Sequence, residues 1–262
     1  MIKAVDLSKN NTVTDYSALK NNIDAAIIKI IRKDGNLEED YWKHLNGCRQ
    51  ANIPVIGVYN YSYATSADKA AYDAGLVVSY MKASNLWCAV WLDLEDKVVK
   101  GLGHKLIDII NEYKKVICLN GYPFGIYCGQ SYYNQYLKPY ANEISNVPIW
   151  IARYYANDKV FTSNTPVDES KLPMIPNVVM WQYTSHGVIN GINGNVDINN
   201  VYYDAISQVQ STPEVPVEQK EDYKELYEKV NKEYEELKNR YEKIKQRYNE
   251  TVKEFNTLLL MQ

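Results

Sequence analysis

Ala89-Val-Trp-Leu-Asp-Leu-Glu95 is the stretch on which the reading of this chain turns. Side chains alternate faces along a β-strand. Val90, Leu92 and Leu94 therefore share one wholly apolar face, and Trp91, Asp93 and Glu95 share the other. In a barrel covered by helices the apolar face meets the helices, and the second face looks inward. Its two acids then fall at the C-terminal rim, where barrel enzymes place their chemistry. Acids at i and i+2 lie roughly 6.5–7 Å apart at Cα. Like charges that close resist joint ionisation, which leaves one protonated acid beside one carboxylate. Glycosidic cleavage needs such a pair. A solvated strand end also collects acids, so the pattern acquires meaning only from the rest of the chain.

Working outward, short apolar runs alternate with amphipathic stretches up to about residue 205. Strands are predicted at Ile2–Leu7, Ala25–Arg32, Val55–Tyr61, Ala89–Glu95, Phe124–Cys128, Pro148–Tyr154 and Val178–Thr184, with a shorter one near Val196–Asn199. Helices are predicted at Leu37–Ala51, Ala67–Ala83 and Lys105–Val116. The rhythm implies an α/β fold with a parallel sheet. Eight strands suggest a TIM-like (β/α) barrel that loses helices toward its C-terminal end. Alternation turns Asp6 inward while Val5 and Leu7 face the helices. Asp197, in Gly194-Asn-Val-Asp-Ile-Asn199, belongs to the last strand. First and last strands are neighbours in a closed barrel, so Asp6 and Asp197 are expected to meet across the closure. Four carboxylates at one mouth are costly to bury unless function requires them. A cap on the following turn is the structural alternative for Asp6.

Composition narrows the function classes. The 262 residues are 46% hydrophobic and 23% charged, as in an ordinary globular protein. The net charge of −3 and the lack of a Lys/Arg cluster argue against nucleic acid. Cys48, Cys88, Cys118 and Cys128 form no C-x-x-C pair, and with the scattered His44, His104 and His186 they show no metal-ligand spacing. Buried free thiols are expected, and a His-based metal site is not favoured. The excess of Tyr over Phe, 24 to 3, fits either compositional bias or stacking on sugar rings. No signal peptide is seen at the N-terminus and no apolar run long enough to span a membrane.

Composition shifts after residue 208. Residues 209–219, with Pro213 and Pro216, read as a linker, so residues 1–208 are expected to form the barrel domain. Residues 220–262 are highly charged and lack Gly and Pro. Tyr223, Val230, Leu237, Ile244, Thr251 and Leu258 form one series, and Tyr227, Tyr234, Tyr241, Tyr248 and Phe255 the other. The alternating four–three spacing is a coiled-coil seam. A C-terminal helix that self-associates is expected. Its bulky aromatics do not follow the usual dimer rule, which leaves the oligomer number open.

Over about residues 1–205 the chain resembles the family 25 glycoside hydrolases, the N,O-diacetylmuramidase type of lysozyme. The resemblance rests on ordered motifs: Val5-Asp6-Leu7-Ser8, Ile27-Ile-Lys29 with Gly35, Val58-Tyr-Asn-Tyr61, Leu92-Asp93-Leu94-Glu95-Asp96, Gly125-Ile-Tyr127, Trp150-Ile-Ala-Arg153-Tyr154, Trp181-Gln182-Tyr183 and Gly194-Asn-Val-Asp197-Ile-Asn199. The family often has His-Phe where this chain has Asn60-Tyr61. The resemblance implies an eight-stranded barrel with about five helices and no cofactor or metal. It implies hydrolysis of the β-1,4 bond between N-acetylmuramic acid and N-acetylglucosamine. Glu95 matches the general acid, and Asp93, Asp6 and Asp197 match the other acidic positions. Direct attack by water, a carboxylate adduct, or a cyclic intermediate through the acetamido oxygen could each complete the reaction. The last is favoured, with Asp93 orienting the acetamido group. Tyr61, Tyr127 and Trp181 match positions near the family's groove, although each also suits a barrel core. Lys29 and Arg153 either contact sugar or balance the acids.

The expected partner is bacterial peptidoglycan. A wall hydrolase without a signal peptide implies a phage lysin held in the host cytoplasm until release, or a tail- or bacteriocin-associated lysin. A non-catalytic wall-binding protein on the same barrel is the alternative from another class. A chitinase-like enzyme is a third, but its D-x-x-D-x-D-x-E signature is missing: Val90, Trp91 and Leu92 precede Asp93.

Overall fold

The computed structural model describes residues 1–156 and 159–202, together with helical positions at Arg240, Lys243, Ile244, Lys245 and Tyr248. The expected linker at 209–219 and most of the expected helix at 220–262 lie outside the described residues.

In chain order the elements are β1 (Ile2–Leu7), β2 (Thr12–Val13), α1 (Tyr16–Lys20), β3 (Ala25–Ile31), α2 (Tyr41–Gln50), β4 (Val55–Tyr61), α3 (Ala67–Ala83), β5 (Ala89–Asp93), α4 (Lys105–Leu119), β6 (Phe124–Gly129), α5 (Gln130–Tyr132), β7 (Ile149–Ala152), β8 (Val178–Gly187), β9 (Ile192–Asn193) and β10 (Val196–Val201). The order β1-β10-β8-β7-β6-β5-β4-β3 closes into a barrel, and β2 pairs separately with β9. After β6 the helical cover thins. Among the described residues the β6–β7 connection holds α5 and short π and 3-10 turns, and the β7–β8 connection a 3-10 turn at Glu169–Lys171.

The barrel departs from the expected parallel sheet at its seam. Strands β1 and β3 to β8 run parallel, whereas β10 is antiparallel to both β8 and β1. Only Val188–Asn195 separate β8 from β10. A parallel return needs a crossover of about a dozen residues or more, so the chain turns straight back instead. Helix α2 also begins later than the apolar spacing predicts. Gly35, at φ +82°, turns the chain back, Leu37 bridges to Ile31, and Glu38 N donates to Ile30 O at 2.9 Å. Residues 36–38 thus run back along the end of β3, and Glu38 comes to lie beside Lys29.

Alternation along each strand sorts the core into two layers. Val5, Leu7, Val90, Leu92 and Leu94 pack outward with helix residues such as Val77, Ile109 and Ile110. Ala4, Ile27, Trp91, Tyr127, Trp150 and Met180 fill the barrel interior. Small residues make room for the large rings. A Cβ on Gly125 would stand 2.3 Å from the Trp91 ring, and one on Gly57 would stand 2.8 Å from its indole nitrogen. These glycines lie on β6 and β4, the two strands that flank β5, so the indole lies across both neighbours. Trp150 then packs edge-on against Trp91, Tyr127 and Tyr59, with ring centroids 5.9, 4.5 and 6.1 Å away. This aromatic layer is the floor beneath the acids.

Candidate active site

The C-terminal ends of the parallel strands open on a cavity of about 410 Å³. Asp6, Asp93, Glu95 and Asp197 all line it, with Lys29, Tyr61 and Tyr127. Tyr59 and Tyr63 line it as well, sharing a face of the β4 end with Tyr61 by their spacing. Sequence reading missed both, although the same i, i+2 parity that placed Asp93 and Glu95 would have found them. Ser8, Asn10 and Asn11 from the turn after β1, Trp150, Gln182, and Asn195 complete most of the wall.

Asp93 is buried at the end of β5, while Glu95 stands past the strand and is open to solvent. Burial raises the Asp93 pKa well above the usual carboxylate range, and the nearby Glu95 charge adds to it. Lys29 works the other way. Glu95 is also raised, first by its crowded surroundings and then by Asp197, with Lys100 and Lys29 opposing. Asp93 Oδ1 is buried and has no hydrogen-bond partner among the described residues.

Asp6 and Asp197 face each other in the β1–β10 ladder. Burial, then the Asp197 charge, raise Asp6 well above its ordinary value; hydrogen bonds from Asn199 and Gln182 oppose this. Burial lifts Asp197 to about 6. Standing opposite one another, the two carboxyls resist joint ionisation.

Lys29 Nζ lies 3.8 Å from Glu38 Oε2 and 5.6 Å from the centre of the Tyr61 ring. Its cation therefore has a buried counter-ion, and it balances Asp93 and Glu95 as well. Tyr61 donates to Asp96 at 3.3 Å.

Two of the nominated residues stand elsewhere. Trp181 is fully buried on the outer face of β8, against Tyr155 and Tyr183, and donates to Arg153 O at 3.1 Å. Its neighbour Gln182 is the β8 residue that faces the cavity. The Arg153 side chain turns away to the Lys171 carbonyl. A Trp-Gln-Tyr run puts two large rings on one face, and the helical side of a barrel holds them as readily as a groove does. Tyr155 and Phe161, supplied by the β7–β8 connection, form the pocket that takes Trp181 and Tyr183.

Comparison with known proteins agrees with this architecture. The model of the family described as glycosyl hydrolases family 25 matches residues 5–192. An autolytic lysozyme of Clostridium acetobutylicum is 21% identical over 199 residues, 76% of this chain and 55% of that protein. The chain thus spans little more than half the length of that curated relative. The catalytic domain of an endolysin from bacteriophage P40 of Listeria monocytogenes superposes with TM-score 0.62 at 22% identity, covering 81% of this chain and 98% of that one. The spore cortex lytic enzyme SleM of Clostridium perfringens gives 0.63 at 16%, covering 78% and 69%. At these identities the structural likeness is one of fold. The family match, which extends over more than half of the chain and takes in Asp6, Asp93 and Glu95, is more specific, and by it the chain belongs to glycosyl hydrolases family 25.

Proposed function

We propose that this chain hydrolyses the β-1,4 bond between N-acetylmuramic acid and N-acetylglucosamine in bacterial peptidoglycan, as a lysin or autolysin. The observation that carries the reading is the unlike pair on one strand end. Asp93 is buried with an unpartnered oxygen, and Glu95 lies two residues on, at the open rim. In the free pocket burial favours the proton on Asp93. A bound sugar reverses that preference. Its acetamido N–H is the donor Asp93 Oδ1 lacks, and it stabilises the Asp93 carboxylate. The same sugar covers Glu95 and removes water from it, which moves the proton to Glu95.

Glu95 then gives its proton to the glycosidic oxygen as the C1–O bond breaks. The acetamido oxygen forms the new bond to C1, and Asp93 holds the resulting positive charge. Water next loses a proton to the Glu95 carboxylate and adds to C1, which reopens the ring with retention. Asp6 and Asp197 bound the far side of the cavity, and Tyr61 and Tyr127 supply aromatic and hydroxyl contacts to sugar.

Mass analysis of muropeptides after digestion of bacterial walls tests the reading. Fragments with reducing N-acetylmuramic acid ends support it. Reducing N-acetylglucosamine ends, or binding to walls without release of any fragment, overturn it.

We also propose that residues 1–208 act as an independent barrel and that residues 220–262 form a self-associating helix. Ile244 and Tyr248, one from each heptad series, are helical and more than half exposed, at 66% and 68%. Pairing would cover this stripe. Light scattering that finds the intact chain monomeric at micromolar concentration counts against association.

A further inference from the structure

Gln182 lines the cavity, takes no part in the reaction above and is 2% exposed. Its place is set by an irregularity in the sheet. Val196 pairs with Gly187, Ile198 with Thr184 and Asn199 with Gln182, so β8 gains one residue on β10 at each of two register shifts. One shift alone would turn every later side chain to the other face; two restore the parity. Gln182 is thereby moved along β8 to stand opposite Asn199, with both amides directed at Asp6.

Trp150 fixes the direction of the hydrogen bonds at one end of the network around it. Trp150 Nε1, which can only donate, gives its proton to Asn199 Oδ1 at 2.8 Å. The Asn199 amide nitrogen must then face Asp6, and it donates to Oδ2 at 2.8 Å. Gln182 Nε2 donates to the same Oδ2 at 3.0 Å. On its other side Gln182 Oε1 accepts from Tyr127 at 2.8 Å and from Tyr154 at 2.6 Å. With two N–H donors on Oδ2, a proton taken up by the pair is directed to the other oxygen of Asp6 or to Asp197. Tyr154 is 40% exposed, so the chain of donors reaches from solvent to Asp6.

We propose that Gln182 is a positioning residue, which ties Tyr127 and Tyr154 to Asp6 and thereby fixes both the orientation of Asp6 and the division of one proton between Asp6 and Asp197. The role in rate rests on the hydrolase reading; the role in the carboxyl pair does not. Other groups act on this pair too. Asp93, Tyr59, Tyr127 and Tyr154 interact electrostatically with Asp6; Glu95, Tyr59, Tyr154 and His186 with Asp197; Lys29 acts on Asp93 and Glu95. None of them donates to Asp6 Oδ2.

The test uses the full chain, with Gln182→Leu and the near-isosteric Gln182→Glu, in case the first fails to fold. Carboxyl carbon resonances of Asp6 and Asp197 are followed by NMR against pH, without substrate. Loss of a donor from Oδ2 is expected to raise the midpoint of the pair by about half a pH unit or more. The pH profile of kcat/KM for wall fragments should shift in the same direction. The rate should fall about ten- to a hundred-fold, as for a lost hydrogen bond to a charged group. In an Asp6→Asn background the same substitution should cost much less. Tyr154→Phe, which leaves Tyr127 on Oε1, should stay within about three-fold of the parent. Carboxyl titrations that superimpose on the parent's would overturn the proposal, whatever the activity. So would an unchanged cost of Gln182→Leu in the Asp6→Asn background. A parent protein that titrates as described but releases no muropeptide would count against the hydrolase reading alone.

Discussion

Asp6 on the first strand and Asp197 on the last stand directly opposite one another across the seam of the barrel. Two acids in that relation make folding sensitive to proton concentration. Both are raised above their ordinary values, Asp197 to about 6. The folded chain therefore binds protons more tightly than the unfolded chain. Stability is fully present below the ordinary carboxylate pKa, and it is lost as pH rises through about 6. Urea midpoints should fall from pH 4 to pH 7. Asp197→Asn should flatten that slope by roughly 2 kcal/mol over the interval. A slope unchanged in the variant would show that the pair does not share a proton.

Glu95→Gln should leave the barrel folded and lower wall lysis by about 10²–10⁴. Circular dichroism and a turbidity assay check the two halves of that statement. With Glu95 as the proposed acid, the wild-type rate should also decline as pH rises through its elevated pKa. A Gln variant with more than about a tenth of the parent rate would remove Glu95 from the role of acid.

Asp93→Asn should depress kcat far more than it alters KM. The charge that Asp93 meets exists mainly in the transition state. Steady-state kinetics on soluble glycan fragments separates the two constants. Weaker binding with unchanged turnover would assign Asp93 to substrate capture instead.

Gly125→Ala should destabilise the barrel by about 1–3 kcal/mol, because the added methyl meets the Trp91 ring and the Pro148 carbonyl. A smaller ring should relieve part of this. Trp91→Phe combined with Gly125→Ala is expected to lose less than the two single changes together, as read from thermal melts. Full additivity would mean that the methyl finds room without the indole yielding.

Much of this was legible in the residues, and the parts that were not have physical causes. The β5 face assignment followed from a two-residue period with apolar and acidic residues on opposite sides. The approach of Asp6 to Asp197 followed from closure alone and did not depend on strand direction. Direction was hidden, because an antiparallel β10 has the same alternation as a parallel one. The eight-residue return from β8 was the available clue. Trp181 and Gln182 were separable only by knowing which face was inward, and Trp-Gln-Tyr is polar or aromatic on both. Leu37 fitted a helical period, but Gly35 two residues earlier turned the chain into a bridge. Gln182 was beyond reach for a further reason: register shifts come from pairing geometry, which no local pattern encodes.

The seam between β1 and β10 has a consequence for biosynthesis. Asp6 lies on the first strand of the barrel and its partner Asp197 on the last, so a ribosome makes the one long before the other. A nascent chain halted before Val196 lacks the strand that pairs with β1 and one of the carboxyls of the cavity. The long loop must close before either end gains from the other, so barrel closure comes late in folding. Translation therefore completes the carboxyl cluster of the cavity only once the last strand of the barrel has been made.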